Sequence, residues 1–436
     1  MLAEFVRKVE RQEIVVGVVG LGYVGLPLAI AFASRGFRVQ GFDIDPQKPE
    51  WLSEGRSYLR HIPGSSFEPH LRSGRLTAST DFSGAGKCDA LIICVPTPLN
   101  EGREPDISFV EETSRTLSGF LRRGQLVALE STTYPGTTDE VVRVLLEEGS
   151  GLRAGEDFFL VYSPEREDPG NPEYSTHNIP KVVGGYTADC LAAGRALYGA
   201  VVEEVVPVSS TRAAELVKLF ENVYRAVNIA LVNELKLLCQ RLDMDVWEII
   251  DAAKTKPFGF QAFWPGPGLG GHCIPIDPFY LAWKARQVDM SARFIELAGE
   301  INTSMPEHVL VRVQEALSAR GKTLQDAKIL VLGVAYKRDV DDMRESPALT
   351  IIDRLMASSA RVLYHDPHVP RLPPTRKFTL DLKSSPLSPD LLKEVDCVLV
   401  ITDHREVDYD LVAEHAGLVV DTRNVVPRGR GNVIGA

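Results

Sequence analysis

Short apolar runs alternate with amphipathic segments along the first half of the chain. The apolar runs fall at residues 14–19, 38–42, 90–95, 126–130 and 158–162. Apolar residues at helical spacing fill several of the intervals, and this alternation predicts βαβ units built around a parallel sheet. A similar pattern returns at residues 328–332, 361–364, 397–401 and 418–420. We therefore predict an α/β chain with two doubly wound domains.

A different pattern separates the two sets of strands. Between residues 210 and 242, apolar side chains recur at steps of three and four residues, as one face of a long helix requires. They are Leu216, Leu219, Phe220, Val223, Val227, Leu231, Leu235 and Leu238. At the rise of an α-helix this segment would be about 45 Å long. We expect it to link the two domains, and either to supply a dimer surface or to stay buried as a core helix.

Residues 256–277 form a long segment that is dense in Gly and Pro. A loop of this length inside a compact chain is usually functional or disordered. Its aromatic residues, Phe258, Phe260, Phe263 and Trp264, favour an ordered loop.

Charge and cysteine content narrow the classes of function. The 436 residues carry a formal net charge of −11, which argues against nucleic acid or an anionic membrane as the main partner. The six cysteines are scattered without a CxxC pair, so we expect neither a disulfide framework nor a metal site. The charged N-terminus lacks the apolar segment of a signal peptide, and no apolar run is long enough to span a bilayer. These features predict a cytoplasmic protein.

The segment Gly20-Leu21-Gly22-Tyr23-Val24-Gly25 is a GxGxxG motif between a predicted strand and a predicted helix. In that setting the glycines allow a tight turn, close approach of a pyrophosphate, and packing of helix on strand. Asp43 follows 18 residues after Gly25, at the end of the second strand, where it can accept hydrogen bonds from a ribose. This pattern predicts NAD in preference to NADP, with a vestigial Rossmann fold as the alternative.

Cys273 stands apart from the other cysteines because Gly270 and Gly271 precede it and Pro275 follows. A nucleophilic thiol needs a lowered pKa or a nearby base, which Asp277 can supply, although a lone Cys in such a loop is more often inert. His272 precedes the thiol, but consecutive side chains usually diverge.

Lys218 and Asn222 are four residues apart and share one face of the long helix. They are either donors for a developing oxyanion or part of a solvated polar stripe.

A set of motifs, in this order along the chain, resembles the UDP-glucose/GDP-mannose dehydrogenase family. The motifs are Gly20-Leu21-Gly22-Tyr23-Val24-Gly25-Leu26-Pro27, Val95-Pro96-Thr97-Pro98, Glu130-Ser131-Thr132, Pro164-Glu165-Arg166, Lys218-Leu219-Phe220-Glu221-Asn222, Gly270-Gly271-His272-Cys273 and Tyr336-Lys337. The resemblance implies three domains: an NAD-binding Rossmann domain at 1–208, a helical dimerisation domain with the cysteine loop at 209–308, and a Rossmann-like UDP-sugar-binding domain at 309–436. It also implies a homodimer or a higher homo-oligomer.

The resemblance further implies two successive reductions of NAD, with the sugar leaving as a carboxylic acid. Cys273 would trap the aldehyde as a thiohemiacetal and then carry a thioester. The implied catalytic residues are Cys273, Lys218, Asn222, Asp277, Thr132 and Glu165. The implied cofactor contacts are Gly20, Gly22, Tyr23, Val24, Gly25, Asp43, Lys48, Thr97, Thr132 and Arg344. The implied substrate contacts are Glu165, Arg166, Lys218, Asn222, Gly270, Lys337 and Arg423.

Within the family, Arg166, His272 and the segment Phe263-Trp264-Pro265-Gly266-Pro267-Gly268 are similar to the branch that acts on UDP-N-acetylhexosamines. UDP-N-acetylglucosamine is the expected substrate. UDP-N-acetylmannosamine, UDP-N-acetylgalactosamine, UDP-glucose and GDP-mannose are the alternatives, because sequence reasoning does not separate epimers. A non-catalytic nucleotide-binding module is a remote alternative, since it would have no need of Cys273, Lys218, Asn222 and Asp277 together.

Overall fold

The computed structural model describes residues 1–59, 62–100, 102–166, 174, 176–271, 274–375, 377–427 and 431–436. These residues divide into two units by their internal contacts. The first unit comprises Met1–Glu221 and Trp283–Asp289, and the second comprises Asn222–Ala282 and Met290–Ala436. The division into three domains expected from the sequence, at 1–208, 209–308 and 309–436, remains a prediction.

The first unit is built on an eight-stranded sheet. Its strands are β1 (Val15–Val19), β2 (Arg38–Phe42), β3 (Leu76–Ser79), β4 (Ala90–Ile93), β5 (Leu126–Leu129), β6 (Phe159–Tyr162), β7 (Lys181–Gly185) and β8 (Val205–Val208). They lie in the order β3-β2-β1-β4-β5-β6-β7-β8. Neighbouring strands are parallel except for β6 and β7. The order reverses between β1 and β4, which makes the ends of these strands a switch point of the kind where α/β proteins bind ligands.

Helices cover both faces of this sheet, so its strands are nearly all apolar. The helices of this part of the chain are α1 (Leu2–Glu10), α2 (Gly25–Ser34), α3 (Gln47–Ser53), α4 (Glu68–Arg72), α5 (Ser108–Ser118), α6 (Arg143–Ser150) and α7 (Ala188–Gly199). Shorter helical turns lie at Gly64–Ser66, Phe82–Lys87 and Thr138–Val142. Alternate strand residues enter two separate cores: Val18 packs with Phe32 on one face, and Val19 with Val110 on the other.

The second unit contains a five-stranded, fully parallel sheet in the order β10-β9-β11-β12-β13. Helices α8 (Thr211–Arg241) and α10 (Asp277–Arg286) contribute residues to both units. The other helices of this region are α9 (Val246–Ala253), α11 (Arg293–Ser318), α12 (Pro347–Ala357), α13 (Pro389–Glu394) and α14 (Tyr409–His415). The strands are β9 (Lys328–Leu332), β10 (Arg361–His365), β11 (Cys397–Val400), β12 (Val419–Asp421) and β13 (Val433–Gly435). The predicted α/β class, with two Rossmann-like sheets and a long central helix, is confirmed.

In both sheets, a glycine follows the first strand and lies against a neighbouring loop. In the first unit, a Cβ at Gly20 would lie 2.6 Å from the carbonyl oxygen of Cys94. In the second, a Cβ at Gly333 would lie 2.3 Å from the carbonyl oxygen of Thr402. Both glycines also have positive φ, 91° and 80°, so any other residue would be strained as well as crowded. At each switch point the two neighbouring loops therefore meet over a glycine.

Helix α8 has two apolar faces, whereas the sequence analysis treated its apolar residues as one. Leu219 and Val223 are buried, but Phe220 and Leu231 are 65% and 61% exposed. A helix with only a core role would not leave such side chains in water, because each exposed apolar group forgoes its burial energy. The core-helix alternative therefore does not account for the whole helix.

We find no helix, in the part of the chain that the structure describes, with the length and apolarity needed to cross a membrane.

Candidate functional site

The turn after β1 leaves room for a dinucleotide. A Cβ at Gly25 would lie 1.9 Å from the carbonyl oxygen of Gly20, so this third glycine is required for the turn itself. A Cβ at Gly22 would meet nothing within 4 Å. Helix α2 begins at Gly25 and directs its first N–H groups toward the same turn. The open position at Gly22 and these N–H groups fit the pyrophosphate of NAD, while Tyr23 and Val24 are half-buried against the core.

Asp43 is buried at the end of β2 and ties that strand to the glycine turn. Its Oδ2 accepts hydrogen bonds from the N–H of Leu21 and the ammonium of Lys48, both at 2.8 Å. Its Oδ1 accepts from the N–H of Asp45 at 3.0 Å. A carboxylate offers about four acceptor positions, so Oδ1 keeps capacity for a ribose hydroxyl. Lys48 thus lies at the predicted cofactor site, bonded to Asp43, and Thr97 is buried just after β4.

A buried ion pair lies beside Glu165. The ammonium of Lys181, at the start of β7, lies 2.7 Å from Oε2 of Glu130 and 3.9 Å from Oε2 of Glu165. Burial by itself lowers the pKa of Lys181, but attraction to the two carboxylates outweighs it and the pKa is raised. The charged ammonium therefore links Glu130 to Glu165, a predicted active-site residue. Thr132, predicted for the same region, is half-buried in the loop after β5.

Arg166 is held within the first unit by two partners. Its Nη2 donates to Oε1 of Glu221 at 2.6 Å, and its Nη1 donates to the carbonyl of Pro180 at 2.6 Å. The guanidinium predicted to contact substrate is therefore already oriented by a carboxylate on α8.

Lys218 and Asn222 of α8 are buried, so the alternative of a solvated stripe is wrong. Lys218 is 8% exposed and Asn222 is 5% exposed. In the second unit, Nδ2 of Asn222 donates to Oδ2 of Asp277 at 2.5 Å. Asp277 is itself buried at the start of α10. The structure thus joins two residues that the sequence analysis assigned to one site, although 55 positions separate them.

The Gly-rich loop before α10 packs closely against the second sheet's loops. A Cβ at Gly270 would lie 2.7 Å from Cβ of Tyr336, and one at Gly271 would lie 2.9 Å from its ring. The N–H of Gly271 donates to the carbonyl of Arg344 at 3.0 Å. Both glycines thus allow the loop to pack against Tyr336, and the predicted contact of Gly270 with substrate remains a prediction. Cys273 and His272 lie outside the described residues, and their roles remain predictions.

Arg423 lies on a loop that a single carboxylate organises. Asp421, at the end of β12, accepts backbone hydrogen bonds at 2.8–3.0 Å from the residues that follow it, which are Arg423, Asn424, Val425 and Val426. Nε of Arg423 donates to the carbonyl of Ile401 at 2.8 Å, and a Cβ at Gly266 would lie 2.7 Å from its Nη1. The guanidinium thus rests directly on the Gly-rich loop.

The segment that carries Lys337 is fixed by a buried histidine. Nδ1 of His404 accepts the N–H of Asp339 at 3.0 Å, and Nε2 pairs with Oδ2 of Asp366 at 3.0 Å. Asp339, His368 and His404 bring potential metal ligands within 4.8 Å of one another, but both ring nitrogens of His404 are engaged. Lys337 is half-buried here.

Arg344, predicted to contact the cofactor, lies in the second unit. Its Nη2 donates to Oδ2 of Asp342 at 2.6 Å. That role remains a prediction.

Sequence reasoning missed the Glu130–Lys181 pair and Asp421. A weak signal existed for the pair: Glu130 ends one apolar strand and Lys181 begins another, at positions where a lone charge would be costly. Asp421 gave no signal beyond its place at the end of a strand.

Three family profiles match the chain in order. They are described as the UDP-glucose/GDP-mannose dehydrogenase family's NAD binding domain at residues 14–202, its central domain at 212–304, and its UDP binding domain at 330–428.

Full-length relatives show the same likeness. A UDP-N-acetyl-D-mannosamine dehydrogenase of Campylobacter jejuni is 36% identical, over 89% of this chain and 95% of the relative. An NDP-N-acetyl-D-galactosaminuronic acid dehydrogenase of Ralstonia solanacearum is 34% identical, over 94% and 96%. Among solved structures, the UDP-D-ManNAc dehydrogenase of Pyrococcus horikoshii aligns with a TM-score of 0.87 at 33% identity, covering 97% of this chain and 98% of that one.

Proposed function

Because the chain belongs to the UDP-glucose/GDP-mannose dehydrogenase family, we propose that it oxidises the C6 hydroxyl of UDP-N-acetylglucosamine to a carboxylate with two equivalents of NAD. The membership makes it an NAD-dependent nucleotide-sugar dehydrogenase; the hexosamine and the four-electron course are the proposal. The buried hydrogen bond between Asn222 and Asp277 supports it, because it joins two residues that the family resemblance assigns to catalysis.

Each of the proposed catalytic residues has a separate role in such a reaction. When bound, NAD accepts a hydride from C6 at each oxidation stage. Lys218 and Asn222 donate to the C6 oxygen as negative charge develops on it, and Asp277 takes up the hydroxyl proton. The thiolate of Cys273 then adds to the aldehyde carbon, forming a C–S bond and a thiohemiacetal.

The second stage ends in an acid because the adduct stays on sulfur. Loss of a second hydride from the thiohemiacetal leaves a thioester, and water attacks the thioester carbon to release the carboxylate and the free thiol. Thr132 and Glu165 are proposed to position that water, and the ammonium of Lys181 lies 3.9 Å from Oε2 of Glu165. An enzyme that stopped at the aldehyde would need no cysteine.

UDP-N-acetylmannosamine is a second candidate substrate, because relatives at 34–36% identity include several UDP-N-acetyl-D-mannosamine dehydrogenases. The two sugars are epimers and differ in the orientation of one acetamido group.

A kinetic panel tests the proposal. NADH formation is measured with UDP-N-acetylglucosamine, its manno and galacto epimers, UDP-glucose and GDP-mannose, together with the number of NADH formed per sugar. We expect two NADH per sugar and the highest kcat/KM with UDP-N-acetylglucosamine. One NADH per sugar would contradict the four-electron course, and a higher kcat/KM with another sugar would replace the substrate. Turnover with none of the five would favour the non-catalytic alternative.

Cys273→Ser supplies the matched control for chemistry. We expect it to abolish acid formation while leaving NAD binding intact, because the hydroxyl is a far weaker nucleophile than a thiolate. Normal acid production by this variant would remove Cys273 from the proposed role.

We also propose a homodimer in the cytoplasm. The exposed apolar side chains of α8 support the first part. The second part is supported by Cys88, Cys94, Cys190, Cys239 and Cys397, which are buried and free of disulfides.

A further inference from the structure

Lys236, on α8, is a buried charge that none of the described residues neutralises. The residue is 3% exposed, and its ammonium nitrogen has no hydrogen-bond partner among them. Removing an ammonium from water costs several kcal/mol unless a counter-charge or good acceptors replace the water. The position therefore lowers the stability of the ligand-free protein.

Two side chains on α11 also have a buried nitrogen atom without a hydrogen-bond partner among the residues that the structure describes. His308 and Arg312 are four residues apart and so share one face of that helix. Nε2 of His308 and Nε of Arg312 are buried and also lack partners in the described part of the chain. The other guanidinium nitrogens of Arg312 are occupied, by Glu315 at 2.6 Å and by the carbonyl of Gly435 at 3.3 Å.

Helices α8 and α11 are joined near these groups by a buried hydrogen bond from Nδ2 of Asn233 to Oδ1 of Asn302 at 2.9 Å, and the charges of the groups affect one another. Burial, followed by the charges of Arg423 and Arg312, lowers the pKa of Lys236 to about 7. Burial and then the charge of Lys236 lower the pKa of His308 to about 4. The surroundings therefore disfavour the charged ammonium of Lys236 in the ligand-free protein.

Asp421, the acid among the described residues that attracts Lys236, cannot serve as its partner. Asp421 attracts the ammonium at a distance. Its two oxygens, however, already accept the four backbone N–H groups of the loop that follows β12. That demand fills the usual acceptor capacity of a carboxylate.

We propose that Lys236, His308 and Arg312 form a binding site for a phosphate group. A phosphate supplies negative charge together with several oxygen acceptors, which matches separate donors converging from two helices. Arg423, beside Lys236, rests on the Gly-rich loop and is the proposed nucleotide-sugar contact. The phosphate therefore comes either from the diphosphate of a nucleotide sugar, in which case the inference rests on the proposed function, or from free phosphate.

Calorimetric titration of the full-length protein with inorganic phosphate, UDP and uridine tests the site. Lys236→Met removes the charge and keeps the length of the side chain. We expect it to weaken binding of UDP, inorganic phosphate or both by about tenfold or more, as the loss of a charge-assisted hydrogen bond should. Lys254→Met is the control, since that lysine is 48% exposed and paired with Asp251.

The pattern of affinities identifies the source of the phosphate. A loss confined to inorganic phosphate assigns the free anion, and a loss for UDP with uridine unchanged assigns the diphosphate. Equal affinities of the native protein and Lys236→Met for phosphate and UDP overturn the proposal, as does a native protein that binds neither. A matching loss for uridine also overturns it, because uridine has no phosphate. No turnover is measured, so a failed dehydrogenase assay leaves this result independent.

Thermal unfolding separates a binding role from a structural one. If Lys236 stabilised the fold, its replacement would lower the unfolding temperature. We expect Lys236→Met to leave that temperature unchanged or to raise it. His308→Leu is the second variant, with the same loss of affinity expected, and it keeps the proposal testable where Lys236→Met yields no folded protein.

Discussion

The charge of one side chain, Lys181, holds two carboxylates together in the first unit. Glu130 is completely buried, so its ionised form depends on this ammonium 2.7 Å away. Replacing one partner of a buried ion pair usually lowers stability by far more than the pair contributes, because the remaining charge stays in the protein interior without a partner.

Lys181→Met is therefore expected to destabilise the protein by about 3–5 kcal/mol, measured by chemical denaturation. Adding Glu130→Gln should recover much of that loss, since the completely buried side chain at position 130 is then neutral. Lys8→Met, at an exposed pair with Glu4, should cost about 1 kcal/mol or less. A double variant as unstable as Lys181→Met alone would show that the lysine acts by packing and not by charge.

Lys236 gives the ligand-free protein a specific dependence on pH. Its pKa is lowered to about 7 by burial and by the charges of Arg423 and Arg312, whereas in the unfolded chain it stays near 10.5. Between these values the unfolded chain binds the additional proton, so this residue makes stability rise as pH increases from 7 toward 10.

Lys236→Met should remove that rise. The free energy of unfolding is measured for both proteins at several pH values between about 6.5 and 9.5, in the absence of phosphate. The quantity of interest is the difference between the two proteins at each pH. We expect the gap between variant and native protein to close as pH rises. A gap that is constant over this range would mean that Lys236 has an ordinary pKa in the fold.

At the scale of elements, helix α8 is anchored at its start by Glu215. The carboxylate is buried and accepts hydrogen bonds from the N–H of Gly136 at 2.6 Å and from the N–H and hydroxyl of Thr138 at 2.8 and 2.7 Å. It thus caps the helical turn at Thr138–Val142 and holds that turn against α8.

Glu215→Ala should cost about 2–4 kcal/mol in denaturation experiments, because two buried N–H groups lose their acceptor. Glu215→Gln keeps one oxygen acceptor and should cost less. Amide hydrogen exchange at Thr138 should quicken in the alanine variant. Glu156→Ala, at a 69% exposed side chain, serves as control. Unchanged protection at Thr138 would argue against the anchoring role.

The sequence predicted the central strands well because buried parallel strands are short, apolar and bounded by turns. The predicted strands at residues 38–42 and 328–332 coincide with β2 and β9. The other predicted strands differ from the structure by one or two residues at one or both ends. Strands β3, β7, β8 and β13 were missed. Three of them, β3, β8 and β13, are partly exposed, and β7 is buried but begins with a lysine and ends in two glycines. The antiparallel direction of β7 was also missed, because hydrophobic pattern specifies burial and not direction.

The candidate site was predictable where backbone geometry dictates the residue. Gly20 and Gly25 could be read from the sequence because no side chain fits those positions. Asn222 and Asp277 could be paired only through the family resemblance, since contacts between distant segments leave no local pattern. Lys236 looked like any lysine on a helix, and its burial depends on packing that sequence periodicity does not reveal.

For the whole molecule, the exposed apolar stripe of α8 is the feature that points to self-association. Phe220, Leu231 and Leu238 are 65%, 61% and 51% exposed and recur at intervals that keep them on one side of the helix. Contiguous exposed apolar surface of this kind usually marks an interface.

Leu231→Asp is expected to convert the proposed dimer into monomer, because an unpaired carboxylate would have to be buried at the interface. Light scattering during size-exclusion chromatography measures the mass. Val288→Asp, at a side chain that is 67% exposed elsewhere, should leave the mass unchanged. A native mass equal to one chain would remove the dimer from the proposal.

The two switch points share a glycine under a carbonyl, yet their carboxylates differ in what they can still accept. Asp43 receives three hydrogen bonds, from Leu21, Asp45 and Lys48. Asp366 receives five, from Val334, Ala335, His368, Val369 and the ring of His404. The second carboxylate therefore has no position left for a ribose, and each chain should saturate with one dinucleotide. Under the proposed reaction, two NAD molecules must therefore bind to the same site one after the other. The aldehyde intermediate has to stay bound while the first NADH leaves and the second NAD enters.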